Sequence, residues 1–281
     1  MSSSPSRRRS SPEPSAAGAR GPGPGPSPAP ALADLGVYRP PRSPRPIELH
    51  LDGNEGIEPP ARILGALKGD PIAVLRRYPK AGALREQVAE RWELPADRVA
   101  TTAGVDDALD RVTRAVLAPG RAAIVPMPTF EMIDRYVRLA GASLRTVPWA
   151  GGPYPQQAVL DACDDAAAAL AFVVSPNNPT GAVASAGQIR TMAAARPRVL
   201  FAVDLAYVDF ADEDPTAELL DLPNVVVLRT LSKAWGLAGL RVGYALGSPE
   251  VIEWMSRVGQ PYAVSGPSLA FASWWWRKGQ E

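Results

Sequence analysis

Residues 225–244 read VVVLRTLSKAWGLAGLRVGY. The first four side chains are aliphatic, with no polar residue among them. An uninterrupted run of this kind fits a strand covered on both faces, not one with a wet side. The pattern predicts a strand over 224–229 that ends at Thr230-Leu231-Ser232-Lys233, and a second strand over 240–246 that takes in Arg241 and Gly243.

Working outward, the same alternation recurs. Helices are predicted over 82–93, 106–117, 130–140, 155–163, 184–195 and 249–258. Further strands are predicted over 97–102, 121–126, 143–148, 168–174 and 198–203. Strands that alternate with helices imply an α/β fold with a mostly parallel sheet flanked by helices. No internal repeat is visible.

Composition bounds the chemistry. The chain has 281 residues, 46% of them apolar, and a formal net charge of +1. That balance gives no electrostatic case for nucleic acid or a membrane surface. One cysteine, Cys163, and one histidine, His50, exclude a disulfide framework and His or Cys clusters for a metal, so no metal site is expected. No apolar stretch is long enough to span a bilayer, and the expected setting is the cytoplasm. Only four lysines are present, Lys68, Lys80, Lys233 and Lys278, so amine chemistry has few candidates. Residues 1–45 hold eleven prolines and the run Arg7-Arg8-Arg9. This composition cannot bury enough apolar surface to offset its ordering entropy, and it reads as a disordered tail.

In open α/β sheets ligands bind beyond the carboxyl ends of the strands. Several polar groups fall there. Strand 168–174 runs into Ser175-Pro176-Asn177-Asn178-Pro179-Thr180-Gly181. Strand 198–203 meets Asp204, with Tyr207 three residues on, and strand 224–229 meets Thr230, Ser232 and Lys233. Ala103-Gly104-Val105-Asp106-Asp107 opens a helix, where free N–H groups can hold a phosphate. Each has a plainer reading: a turn, an ordinary N-cap, an exposed loop acid, a solvated lysine. Their order along the chain and their shared placement at strand ends favour a site.

These motifs, PNNPTG, Asp204-x-x-Tyr207 and TLSKAWGLAGLRVGY, resemble the fold-type I aminotransferases, and most closely the histidinol-phosphate aminotransferase branch. Arg77-Tyr78-Pro79, PMPTF at 126–130 and LDGNEG at 51–56 are similar to that branch too. The resemblance covers roughly 47–272. It implies a pyridoxal 5′-phosphate (PLP) domain over 46–281 and transfer of an amino group between an amino acid, or histidinol phosphate, and a 2-oxo acid. Lys233 would bond the cofactor as an aldimine and then carry the proton. Asp204 would pair with the ring nitrogen, and Tyr207 and Asn178 would hydrogen-bond the ring's phenolate oxygen. Arg241, Thr230, Ser232 and the N–H groups of Val105 and Asp106 would cradle the phosphate, and Phe130 would stack on the ring. Tyr78 would reach the phosphate of a neighbouring subunit in a homodimer.

The sequence departs from the family at three places. Asp204-Leu205-Ala206-Tyr207 replaces Asp-Glu-Ala-Tyr, and Gly56-Ile57 replaces Asn-Pro. The family continues into a small domain with an arginine for the substrate carboxylate, whereas the sequence stops at Glu281. That domain is therefore expected to be largely missing. The alternatives are a decarboxylase of a phosphorylated amino acid on the same scaffold, or a non-catalytic PLP-binding remnant.

Overall fold

The computed structural model describes residues 28–32, 35–38, 53–67 and 71–278. His50, Lys68 and most of the expected tail lie outside them. Seven strands form one sheet: β1 Val99–Thr102, β2 Ala122–Met127, β3 Ser143–Pro148, β4 Leu170–Val174, β5 Leu200–Asp204, β6 Val225–Thr230 and β7 Gly243–Leu246. Their order is β1-β7-β6-β5-β4-β2-β3. Strands β3, β2, β4, β5 and β6 run parallel, whereas β7 is antiparallel to both β6 and β1.

The apolar runs serve both faces of this sheet. Val225 and Val227 of β6 join one core with Phe201, Val203, Ala171 and Val173; Val226 and Leu228 join the other with Ala202, Phe172 and Val174. Helices α2 (Gly82–Arg91), α5 (Gln156–Asp165), α6 (Ala186–Ala195) and α9 (Gly266–Lys278) supply Val88, Val159, Ile189 and Leu269 to the first core. Helices α3 (Gly104–Val116), α4 (Met132–Leu139) and α8 (Pro249–Val258) supply Leu109, Ile133 and Met255 to the second. Covering both faces is what makes continuous aliphatic strands favourable.

Two expectations are corrected. The strand expected at 240–246 begins only at Gly243, because Ala238–Leu240 forms a 3₁₀ turn and Arg241 adopts φ 53, ψ 58. The connection from β6 carries only that 3₁₀ turn and no crossover α-helix; the chain folds straight back, and Leu231 N–H donates to Val242 O at 2.9 Å. The helix expected from 184 starts at Ala186, because Ser185 and Gln188 form a reciprocal capping box. Three α-helices lie outside the expected set: α1 (Pro71–Arg76), the short α7 (Thr216–Leu219) and α9. Within α9, Trp276 is 5% exposed, stacked on Trp235 at 5.1 Å and edge-on to Tyr244. The run Trp274-Trp275-Trp276 therefore serves packing, with Trp276 in the core and the other two against it. Among the described residues no helix is long and apolar enough to cross a membrane, and no cluster of His, Cys, Asp or Glu could hold a metal ion.

Candidate active site

The carboxyl ends of β4, β5 and β6 face the amino end of α3 across a cavity of about 690 Å³. That volume falls in the range of small-molecule and cofactor sites, roughly 300–1,000 Å³. Its wall carries Lys233, Asp204, Tyr207, Asn178 and Phe130, together with Thr230, Ser232, Arg241, Val105 and Asp106. Ten of the eleven residues expected from sequence thus line one space. Tyr78 does not: it is 78% exposed and stacked on Tyr262 at 4.6 Å. Lys80 does not line it either.

Lys233 is held in place by backbone. Its Nζ donates to Gly53 O at 2.8 Å and lies 5.4 Å from the centre of the Tyr207 ring. The Gly53–Gly56 segment is pressed against this lysine. Gly56 has φ 78, and a Cβ there would sit 2.0 Å from Lys233 O. A side chain there would force this backbone apart, so the position requires glycine. Asn54 Nδ2 donates to the Tyr207 hydroxyl at 3.2 Å.

Asp204 lines the cavity and is 3% exposed. Its Oδ1 accepts from Ala206 N–H at 3.0 Å. Burial pushes the Asp204 carboxyl up to about 7; the Ala206 N–H opposes the rise, the Asp106 charge adds to it, and Lys233 opposes it. A carboxylate so placed is short of positive charge and suits a cationic partner inside the cavity.

A second group of lining residues suits an anion. Thr230 Oγ1 donates to Ser232 Oγ at 3.0 Å, and Arg241 Nη1 donates to Ser232 Oγ at 3.3 Å. The first N–H groups of α3 have no acceptor within the helix. Gly104, at φ 80, lets the guanidinium lie against that helix end, since a Cβ would come within 2.7 Å of Arg241 Nη2. The cavity therefore suits an elongated ligand with a protonated ring at one end and a phosphate at the other. The donor set fits PLP.

Residues beyond the expected set also shape the site. Asn177 organises the PNNPTG turn: its Nδ2 donates to Pro128 O and to Thr180 Oγ1, and its Oδ1 accepts from Thr129 Oγ1. This frees the neighbouring Asn178 to face the cavity. Gly53, Asn54 and Tyr38 line the same wall. LDGNEG signalled the first two. Nothing signalled Tyr38, which stands within the proline-rich stretch and is steadied by Arg135 Nη2 donating to Gly36 O at 2.7 Å.

A family model described as aminotransferase class I and II matches residues 52–280. An aromatic amino acid aminotransferase of Mycobacteroides abscessus is 35% identical over 247 residues, covering 86% of this chain and 71% of its own length. A histidinol-phosphate aminotransferase of Trichormus variabilis is 34% identical over 238 residues, covering 84% and 66%. Among solved structures, the histidinol-phosphate aminotransferase of Sinorhizobium meliloti in complex with pyridoxal-5′-phosphate superposes with a TM-score of 0.75 at 26% identity, over 81% of this chain and 64% of that one. The chain thus spans about two thirds of the length of the proteins it matches. With the family match running through nearly all of the globular part, the chain belongs to the class I and II aminotransferases.

Proposed function

We propose that the protein is a PLP-dependent aminotransferase that moves an amino group between an amino acid and a 2-oxo acid, with Lys233 as the residue that bonds the cofactor. The observation that carries this reading is the meeting of Lys233, the buried Asp204 and the Arg241–Ser232–Thr230 group around one cavity. Bound there, PLP supplies a carbonyl that amines condense with and a ring that withdraws electrons from the substrate's Cα–H bond.

This chain's residues would do the rest. The Lys233 amine holds the cofactor and, once released, carries a proton at Nζ to and from the substrate carbon. The Asp204 carboxylate holds a proton on the ring nitrogen. The Tyr207 hydroxyl and the Asn178 amide serve the ring oxygen. Arg241, the two hydroxyls and the helix N–H groups of Val105 and Asp106 bind the phosphate. Phe130 covers the ring. The exposed Tyr78, with its stacked partner Tyr262, is suited to reach a second subunit in a homodimer. The relatives support aromatic amino acids and histidinol phosphate as the first donors to try.

A single-turnover titration tests the reading. PLP-loaded protein is mixed with each donor, and the cofactor's absorbance is followed to the pyridoxamine form. Conversion by at least one donor is expected. Release of CO₂ from a phosphorylated amino acid would identify a decarboxylase instead, and no change with any donor would leave only a binding protein.

A further inference from the structure

Two acids open helix α3, and they are used differently. Asp107 is fully engaged: its Oδ2 accepts from Ala103 N–H at 2.8 Å, and its carboxylate pairs with the buried Arg111 at 2.7 Å. Asp106 faces the other way. Its Oδ2 accepts from Arg241 Nη2 at 2.9 Å, while its Oδ1 is buried without a hydrogen-bond partner among the described residues. A carboxylate oxygen left unpaired beside an anion-binding cradle opposes anion binding unless its charge serves something else there.

The guanidinium shows what it serves. Arg241 leaves the chain from a left-handed backbone position, φ 53, with Nη2 on Asp106 and Nη1 shared between Ser232 Oγ at 3.3 Å and Ala238 O at 3.4 Å. The absence of a Cβ at Gly104 lets Nη2 approach the helix end. Asp106 therefore holds one side of the fork while the other side meets the Ser232 hydroxyl, which in turn accepts from Thr230 Oγ1.

We propose that the Asp106 carboxylate is a positioning residue for phosphate binding: it fixes Arg241 through Nη2 and so aims Nη1 into the cradle. This rests on the functional reading above and adds a role for the side chain of Asp106, distinct from that of its backbone N–H. The acid acts only through Arg241. Alone, its charge repels a phosphate.

That duality gives a change of sign to look for. Apoprotein is titrated with PLP and, separately, with inorganic phosphate, in the wild type, Asp106→Asn, Arg241→Ala and the double variant. The pair is partly exposed, with side chains 49% and 39% accessible, so screening limits its worth. With Arg241 present, Asp106→Asn should weaken both ligands by about three- to ten-fold. With Arg241 replaced by alanine, the same change should strengthen them, because it then only removes a like charge. The apoprotein's melting temperature should differ little between wild type and Asp106→Asn. Equal or tighter binding by Asp106→Asn with Arg241 present would overturn the proposal, as would losses that simply add in the double variant. The phosphate arm needs no lysine. If it shows the sign change while PLP never bonds Lys233, the functional reading fails and the role of Asp106 stands; the converse result separates them the other way.

Discussion

Arg229 and Asp204 are both buried charged side chains on neighbouring strands, and their surroundings are opposite. Arg229, on β6 and 4% exposed, donates to Asp214 at 2.7 Å, Asp209 at 2.9 Å and Thr216 Oγ1 at 2.9 Å, with the Trp92 ring 5.6 Å away. Asp204, at the end of β5, has the Ala206 N–H. Burial works to raise the Asp214 carboxyl, but Arg229 and Thr216 outweigh it and the net shift is downward. Burial wins at Asp204, whose carboxyl is pushed up to about 7. A charge whose partners come from its own chain is structural. A charge left short of partners, inside a cavity, is the kind that marks a candidate functional site.

The largest effect should come from Asp204→Asn. An amide cannot hold the ring proton, so amino-group transfer should fall by roughly 100-fold or more in single-turnover assays of the loaded protein. The empty protein should respond in the opposite sense. The folded pKa of Asp204 is raised from the usual 3.8 to about 7, so ionisation of this group costs stability progressively across that window, and the cost is complete above it. The Asn variant lacks that loss and should melt higher than wild type at pH 8, with the gap closing toward pH 4. A variant that keeps its turnover would remove Asp204 from the chemistry and erase the contrast with Arg229.

Arg229→Leu comes next. It should cost about 3 kcal/mol in urea unfolding, because it strips Asp209 and Asp214 of their partner and leaves no charge to replace it. Lys233 sits four residues further along, yet PLP should still bond it in the folded fraction. Unchanged stability would show that the buried ion pairs contribute nothing net.

Tyr38→Ala should have the smallest effect, a less than about ten-fold faster loss of PLP measured by dilution, since Tyr38 is 47% exposed and only borders the cavity. A larger loss would mean that the segment around Gly36 seals the site.

The sequence made β4, β5 and β6 legible because strands buried on both faces leave no polar gap to misread. The groups at their carboxyl ends were legible because ligands gather there. The reversal at β7 was not, since it depends on a turn whose geometry is set by a left-handed Arg241. Helix α9 was missed because Phe271, Trp274, Trp275 and Trp276 leave it no clear polar face, and only its packing against α2 and its neighbours defines the element. The partners of Arg229 lie 13 to 20 residues away along the chain, and no local pattern marks them. Tyr38 borders the cavity on a segment held by Arg135 donating to Gly36 O, a contact that composition cannot show.

The central claim is that the lysine following β6 is the one that bonds the cofactor. Borohydride reduction of the PLP-loaded protein, followed by peptide mapping, tests it directly. A single pyridoxyl group on Lys233, absent from Lys233→Ala, is the expected result. A label on Lys80, or no label at saturating PLP, would contradict it.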